Sequence, residues 1–239
     1  MITLAFDSTA KVASVAVCED KKLLLLYNID NGLTQSELLL PMAENALASL
    51  HLSFSDIDLL ACTVGPGSFT GVRIGTALVK GIAFGKNIPC ISISTLEALA
   101  ENARGLRGII VPVMDARRAQ VYTALFSSDE NELKRLTEDN AISLSNLAET
   151  LKKYSGKPIY LVGDGYEISR KFLTEAGIKT EFTPPLLLSE NAYSSARLAF
   201  DKFKNNDYKT DCELRPTYLR MPQAERERLE RLNSTNKES

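Results

Sequence analysis

The residues with the type and spacing to do chemistry gather in one stretch, Val64-Gly65-Pro66-Gly67-Ser68-Phe69-Thr70-Gly71-Val72-Arg73-Ile74-Gly75. Glycine admits positive φ and the close approach of another backbone or a ligand, and proline pre-sets the turn. The run lies between an apolar strand-like segment, Leu59 to Val64, and a helix-like one, Val72 to Phe84. Free N–H groups and the helix dipole favour an anion at such an entrance, phosphate above all. Gly65, Gly67, Ser68 and Gly71 are therefore candidate phosphate-binding residues. A ligand-free strand-to-helix turn uses the same residues, and both readings stand. No Gly-Lys-Ser/Thr closes the loop, so it is not a Walker A sequence.

Other chemistries are thinly supplied. His51 is the single histidine, so a multi-histidine metal site and a Ser-His-Asp triad have no material to build from. Cys18, Cys62, Cys90 and Cys212 lie far apart without a C-x-x-C pair, as expected of free thiols in a reducing compartment. No catalytic residue and no metal site is assigned. Two carboxylates remain: Asp7, in Leu4-Ala5-Phe6-Asp7-Ser8-Thr9, and Asp115, in Asp115-Ala116-Arg117. For Asp7 the simple role is capping the backbone N–H groups of its own turn. A net charge of −2 over 239 residues argues against a chain that grips nucleic acid by itself, and Arg104, Arg107, Arg117 and Arg118 read as a solvated face. Asp7 interrupts the apolar N-terminal run and nothing reaches spanning length. A cytoplasmic protein without a membrane partner is expected.

The elements that must position these residues follow from the apolar periodicity. Strands are expected at Ile2–Phe6, Ala13–Cys18, Leu23–Ile29, Leu59–Val64 and Pro89–Ser94, and again at Ile109–Met114, Val121–Phe126 and Ile159–Val162. Helices are expected at Ser36–Leu50, capped by Ser36 with either a kink at Pro41 or a later start, then Val72–Phe84, Thr95–Ala103 capped by Thr95, Leu144–Tyr154, Tyr166–Ala176 and Asn191–Lys204. Two of these are unusually apolar. In the first, Leu38, Leu39, Leu40, Met42, Ala43, Ala46 and Leu47 spread around about half the circumference, wider than the stripe of about 100° that one buried face needs. In the second, Arg73, Thr76 and Lys80 form a narrow polar strip, and Gly75 and Gly81 leave room for close approach. Either a neighbouring helix or a partner subunit must cover the excess.

The chain then repeats itself. A strand ending in aspartate, a return strand and a later Gly-x-Gly turn occur in both halves, with Val15-Ala16-Val17 and Thr123-Ala124-Leu125 equally far beyond Asp7 and Asp115. Gly65-Pro66-Gly67 has its counterpart in Gly163-Asp164-Gly165. The pattern predicts an α/β fold of two βββαβα-type units with mixed sheets and a cleft between them. Residues 1–104 form a first lobe completed by 189–220, residues 105–188 a smaller second lobe, and 221–239 a charged, partly disordered tail.

This two-lobed plan resembles the ASKHA (actin/Hsp70/sugar-kinase) superfamily. Leu4 to Thr9, Ser36-Glu37-Leu38-Leu39-Leu40-Pro41-Met42, the Gly65–Gly75 block, Asp115-Ala116-Arg117 and Pro216-Thr217-Tyr218-Leu219-Arg220 together resemble the bacterial TsaB (YeaZ) family. The resemblance implies a non-catalytic subunit of the machinery that makes threonylcarbamoyladenosine beside the tRNA anticodon. Its partners would be a TsaD-type transferase and a TsaE-type ATPase, with tRNA met indirectly through the complex. Docking would use helices 36–50 and 72–85, through Leu38, Leu39, Met42, Ala43, Ala46, Leu47, Ile74, Ala77, Leu78 and Gly81. The same faces would close a homodimer when the partner is absent. A charge at Leu39 or Ala77 is expected to abolish docking and leave a folded monomer.

In ASKHA phosphotransferases the hairpin aspartates help hold magnesium, so the resemblance also offers a small-molecule kinase or ATPase, with ATP or ADP and magnesium near Asp7, Ser8, the glycine loop and Asp115. A peptidase acting on a partner is a third reading, without nucleophile or metal to support it. Thr95 and Leu99 stand where the TsaD family has the two histidines of an H-x-x-x-H metal motif. Gln35 replaces a usual histidine, and Thr63-Val64 a usual Gly-Arg, which removes a charge beside the loop.

Overall fold

The computed structural model describes residues 1–130 and 132–220; the charged tail expected over 221–239 lies outside them. The first sheet begins with an antiparallel meander of β1 (Ile2–Asp7), β2 (Ala13–Glu19) and β3 (Lys22–Ile29). Helix α1 (Gln35–Ser49) leads to β4 (Leu59–Thr63), which runs parallel to β1, and α2 (Phe69–Ala83) leads to β5 (Cys90–Ile93), parallel to β4. The strand order is β3-β2-β1-β4-β5. Central strands covered on both faces read as continuous apolar runs, as Leu59–Thr63 does.

Side chains alternate across β1. Leu4 and Phe6 face Leu39, Met42, Leu47 and Val79 of α1 and α2, whereas Ala5 packs with Ala61, Ala196 and Ala199 on the other face. Helix α3 (Thr95–Asn102) follows β5, and the last helix, α6 (Ala192–Lys204), lies against β1 and β2 over that alanine-rich face.

The second sheet contains β6 (Gly108–Asp115), β7 (Gln120–Thr123), β8 (Phe126–Ser128), β9 (Leu133–Arg135), β10 (Asn140–Ser143) and β11 (Ile159–Val162), with α4 (Leu144–Lys152) before β11 and α5 (Tyr166–Glu175) after it. Here β10, β7, β6 and β11 repeat the succession β3, β2, β1, β4, with antiparallel neighbours on one side and a parallel one on the other. The duplicated βββαβα unit is therefore present, and the chain has the α/β, two-sheet ASKHA architecture. Helices α4 and α5 cover one face through Leu147, Leu151 and Leu173; α3 covers the other through Leu96, Leu99 and Ala103, and also touches α6.

Several local expectations change. Helix α1 starts at Gln35, because Glu37 Oε2 accepts both the Thr34 N–H (2.9 Å) and the Thr34 hydroxyl (2.6 Å), and it runs through Pro41 without interruption. Helix α2 starts at Phe69, three residues before the expected Val72, because Ser68 Oγ accepts the Gly71 N–H at 3.2 Å. Ser94, not Thr95, caps α3. The expected strand Val121–Phe126 becomes β7 and β8, which keep one register along β6 (Val113 opposite Thr123, Ile110 opposite Phe126). Their outer neighbour changes from β10 to β9 at Leu125, whose carbonyl accepts the Leu136 N–H at 2.7 Å.

The two aspartate hairpins differ by one residue. Asp7 pairs with Ser14 but Asp115 with Val121, so Val15 corresponds to Tyr122 and not to Thr123. Three successive residues at positive φ, Arg117, Arg118 and Ala119, make the second turn tighter.

Candidate functional site

Between the two sheets lies a cleft of about 620 Å³. Gly67, Ser68 and Asp115 line it, with Thr9, Lys11, Phe69, Thr70, Arg117 and Asp164. Asp7, Ser8, Gly65 and Gly71 do not form its wall. The reason is in the glycines. A Cβ on Gly71 would sit 1.9 Å from the Ser8 carbonyl oxygen, one on Gly67 2.4 Å from that of Thr9, and one on Gly65 2.4 Å from that of Thr217. Hydrogen bonds fix these approaches: the Ser68 N–H donates to the Thr9 carbonyl at 2.7 Å, and the Thr217 N–H to the Val64 carbonyl at 2.7 Å. The Ser8 hydroxyl donates to the Gly71 carbonyl at 2.9 Å. The space that glycine opens is filled by the chain's own carbonyl groups, acceptors of the same polarity as a phosphate.

The two hairpin aspartates have separate fates. Asp7 is fully buried, and its Oδ1 accepts the Thr9 N–H at 3.0 Å and the Thr9 hydroxyl at 2.7 Å. Burial pushes its carboxyl above the usual range, against the opposing pull of the Thr9 bonds. Asp115 is exposed at the cleft, where its Oδ1 accepts the Arg117 N–H at 2.7 Å and its own N–H donates to Asp164 Oδ1 at 3.0 Å. Each carboxylate holds its turn; only Asp115 also faces the cleft.

Residues 217–220 cross the cleft as a strap, a role that no local pattern in the sequence announces. The Tyr218 hydroxyl accepts from Arg73 Nε at 2.8 Å, and the Tyr218 ring stacks on Phe69 with centroids 4.7 Å apart. The Arg73 guanidinium lies 3.8 Å from the Phe69 ring centroid, a cation–π contact at the first turn of α2. On the far side Arg220 Nη1 donates to the Ala116 carbonyl at 2.7 Å.

The outer face of α1 and α2 is the second candidate surface. Leu39, Met42, Ala43, Ala46 and Leu47 are buried in the chain's own core with Leu4, Phe6 and Val79. They are not available to another protein, and a charge at Leu39 would break the fold; the expectation of a folded Leu39→Glu monomer is corrected accordingly. The wide apolar arc of α1 serves the sheet on one side and α2 beside it. What faces outward is a stripe along α2: half-buried Ile74 and Leu78, exposed Ala77 and Gly81, and Phe84, which is 78% exposed just past the helix end. On α1, half-buried Leu38 and exposed Leu40 stand about 200° apart, at opposite edges of that helix's buried face, so they do not form one stripe with α2. The i, i+3, i+4, i+7 spacing of 74, 77, 78 and 81 keeps the stripe on one side of the helix. Phe84 completes it although sequence reasoning did not assign it.

Three of the four thiols are buried and poorly suited to nucleophilic work, and Cys212 is exposed. Burial pushes Cys18 and Cys62 up to about 12 and Cys90 up to about 11. His51 stands exposed at positive φ past the end of α1. Thr95 and Leu99 are buried in α3. Among the described residues no three His, Cys, Asp or Glu side chains converge to hold a metal ion, and no helix is long and apolar enough to cross a membrane.

Comparison with known proteins gives a consistent result. Residues 34–227 match the family model described as TsaD: tRNA N6-adenosine threonylcarbamoyltransferase. The tRNA threonylcarbamoyladenosine biosynthesis protein TsaB of Bacillus subtilis (strain 168) is 30% identical over 175 residues, covering 73% of this chain and 76% of that protein. The protein of the same name from Escherichia coli (strain K12) is 32% identical over 181 residues, covering 74% and 78%. The solved structure of YeaZ from Pseudomonas aeruginosa superposes with a TM-score of 0.76 at 22% identity, covering 91% of this chain and 99% of that one.

Proposed function

The chain belongs to the TsaB family, and on that footing we propose that it acts as a non-catalytic subunit in the biosynthesis of tRNA threonylcarbamoyladenosine, docking onto a TsaD-type transferase. The relatives' shared name, tRNA threonylcarbamoyladenosine biosynthesis protein, supports the pathway. The observation that carries the docking role is the outward stripe of Ile74, Ala77, Leu78 and Gly81 on α2, continued by Phe84 just past its end. Small residues at 77 and 81 let a second helix approach closely, and the larger ones on either side give it apolar surface to cover. A TsaE-type ATPase completes the assembly, and tRNA is met through the complex. Without the transferase, two copies of the stripe close on each other as a homodimer.

A supporting role, rather than catalysis, agrees with a glycine loop filled by the chain's own carbonyls and with the thiols of Cys18, Cys62 and Cys90 held protonated by burial. An adenine nucleotide with magnesium, the ASKHA alternative, fits the residues poorly: Asp7 lies behind the cleft wall with Oδ1 committed to Thr9, leaving Asp115 as the one hairpin carboxylate facing the cleft. Co-purification tests the docking role. With the transferase of the same organism tagged, the wild-type chain should be retained and Ala77→Glu lost while its circular dichroism and melting stay unchanged. Retention of a folded Ala77→Glu would remove the α2 stripe from the contact.

A further inference from the structure

A second, smaller cavity of about 230 Å³ lies where the two repeats meet; it shares Lys11 and Asp164 with the cleft wall and includes none of the docking stripe. Its wall includes four carboxylates, Asp30, Asp164, Glu167 and Glu190, against one cation, Lys11. Asp30 follows β3, Asp164 and Glu167 flank the start of α5 and Glu190 sits in the segment that returns to α6, so the carboxylates come from three separate pieces of chain. Tyr166, also on the wall, adds a phenol.

Glu190 is the unusual member. It is 2% exposed, and its Oε1 has no hydrogen-bond partner. A buried carboxylate left unpaired is costly, so such a group either keeps its proton or awaits a cation. Apart from exposed Lys11 and the Tyr166 phenol, the titratable groups around it are acidic: buried Asp7 on β1, Asp164 before α5, and Asp30 and Glu167 on the shared wall. Burial first, then the charges of Asp7 and Asp164, push Glu190 up to about 8. A bare metal ion needs three or more ligands at one point, and among the described residues no such group exists. An alkylammonium or guanidinium group differs: its N–H donors point apart and reach carboxylates that are spread around a cavity.

We propose that this cavity at the junction of the repeats binds an organic cation, an alkylammonium or guanidinium group, with Glu190 as its buried anionic partner and Asp164 and Glu167 beside it. Binding transfers the Glu190 proton to solvent, leaving a carboxylate–ammonium pair in its place. The cation enters either as a free amine or as the side chain of a protein.

Calorimetry on the full chain at low salt tests this. Titrated with n-butylammonium chloride, the chain should bind at pH 8 and release about half a proton per site, seen as a heat that varies with the buffer's ionisation enthalpy. Affinity should fall by up to roughly 50-fold at pH 6, because a carboxyl with a pKa of about 8 goes from half ionised to about 1% ionised. Glu190→Gln should weaken binding at least tenfold and abolish the pH dependence. Should that variant misfold, Glu167→Gln, an exposed change, should still weaken binding about threefold. A blocked Gly-Lys-Gly peptide binding more tightly than butylammonium identifies a protein side chain as the source, and the reverse order a free amine. Absence of binding at 100 mM butylammonium, or binding equal at both pH values and indifferent to Glu190→Gln and Glu167→Gln, overturns the proposal. Because no transferase takes part, failure here leaves the docking role intact.

Discussion

Each sheet is covered on one face by a helix pair, α1 with α2 in the first repeat and α4 with α5 in the second. Their inner faces are alike. Leu39, Leu47 and Val79 do for the first sheet what Leu147, Leu151 and Leu173 do for the second. Their outer faces differ. On α4 and α5 the exposed positions include Glu149, Lys152, Glu167, Arg170, Lys171 and Glu175, with Ile168 the apolar exception. On α2 they are Thr70, Arg73, Ala77 and Gly81, continued by Phe84. The second repeat closes its core beneath a charged exterior, so the inner faces alone suffice to cover the sheets. Under the proposed docking role, the apolar stripe on α2 is the surface that a partner covers.

The comparison can be broken or sharpened at four places. The largest effect belongs to the inner faces. Leu39→Ala in α1 and Leu147→Ala in α4 should each cost about 2–5 kcal/mol in urea denaturation, because both leave a cavity in a closed core. A marked inequality would show that the repeats are not built alike. Next come the outer faces. Ala77→Glu should weaken transferase binding at least roughly 100-fold, about 2.7 kcal/mol, by calorimetry. The charge reversal Lys171→Glu on α5 should leave it within about twofold. Equal losses would contradict the asymmetry.

The third place is the seam between the repeats. Burial pushes the Glu190 carboxyl from an ordinary 4.5 up to about 8, so the folded chain holds a proton that the unfolded chain gives up between those values. Its contribution is complete below pH 4.5 and is lost as pH rises toward 8 and beyond, at a limiting slope of about 1.4 kcal/mol per pH unit. Glu190→Gln should flatten that part of the stability–pH curve; an unchanged curve would deny the carboxyl its buried setting. The smallest effect is at Gly81, where an added Cβ meets nothing within 4 Å. Gly81→Ala should raise stability by about 0.5–1 kcal/mol on the helix scale, measured by thermal melting.

Much of this was legible in the chain itself. The alternation of strand and helix periods, and the repeated strand-aspartate-return pattern, carried the duplicated α/β architecture, because both rest on local residue order. Two features escaped for definable reasons. A wide apolar arc on α1 does not say which part meets its own sheet and which part faces outward, so Leu39, Met42, Ala43, Ala46 and Leu47 looked like docking residues although they are core. Nor do glycines say whose backbone approaches them; Ser8, Thr9 and Thr217 are distant in sequence from the loop they fill. The one-residue offset between the aspartate hairpins arose from Arg117, Arg118 and Ala119, three residue types that do not advertise positive φ. Glu190 was missed altogether, because a lone glutamate between Ser189 and Asn191 has no pattern until the fold buries it.

The most direct test of the asymmetry is hydroxyl-radical footprinting of the chain with and without its transferase, read at Phe84 and Ile74 on one side and Ile168 on the other. Phe84 is 78% exposed and Ile168 43%, so both report in the free chain. Protection of Phe84 and Ile74 with Ile168 unchanged is the predicted result. Protection of Ile168 with Phe84 still fully reactive would contradict it.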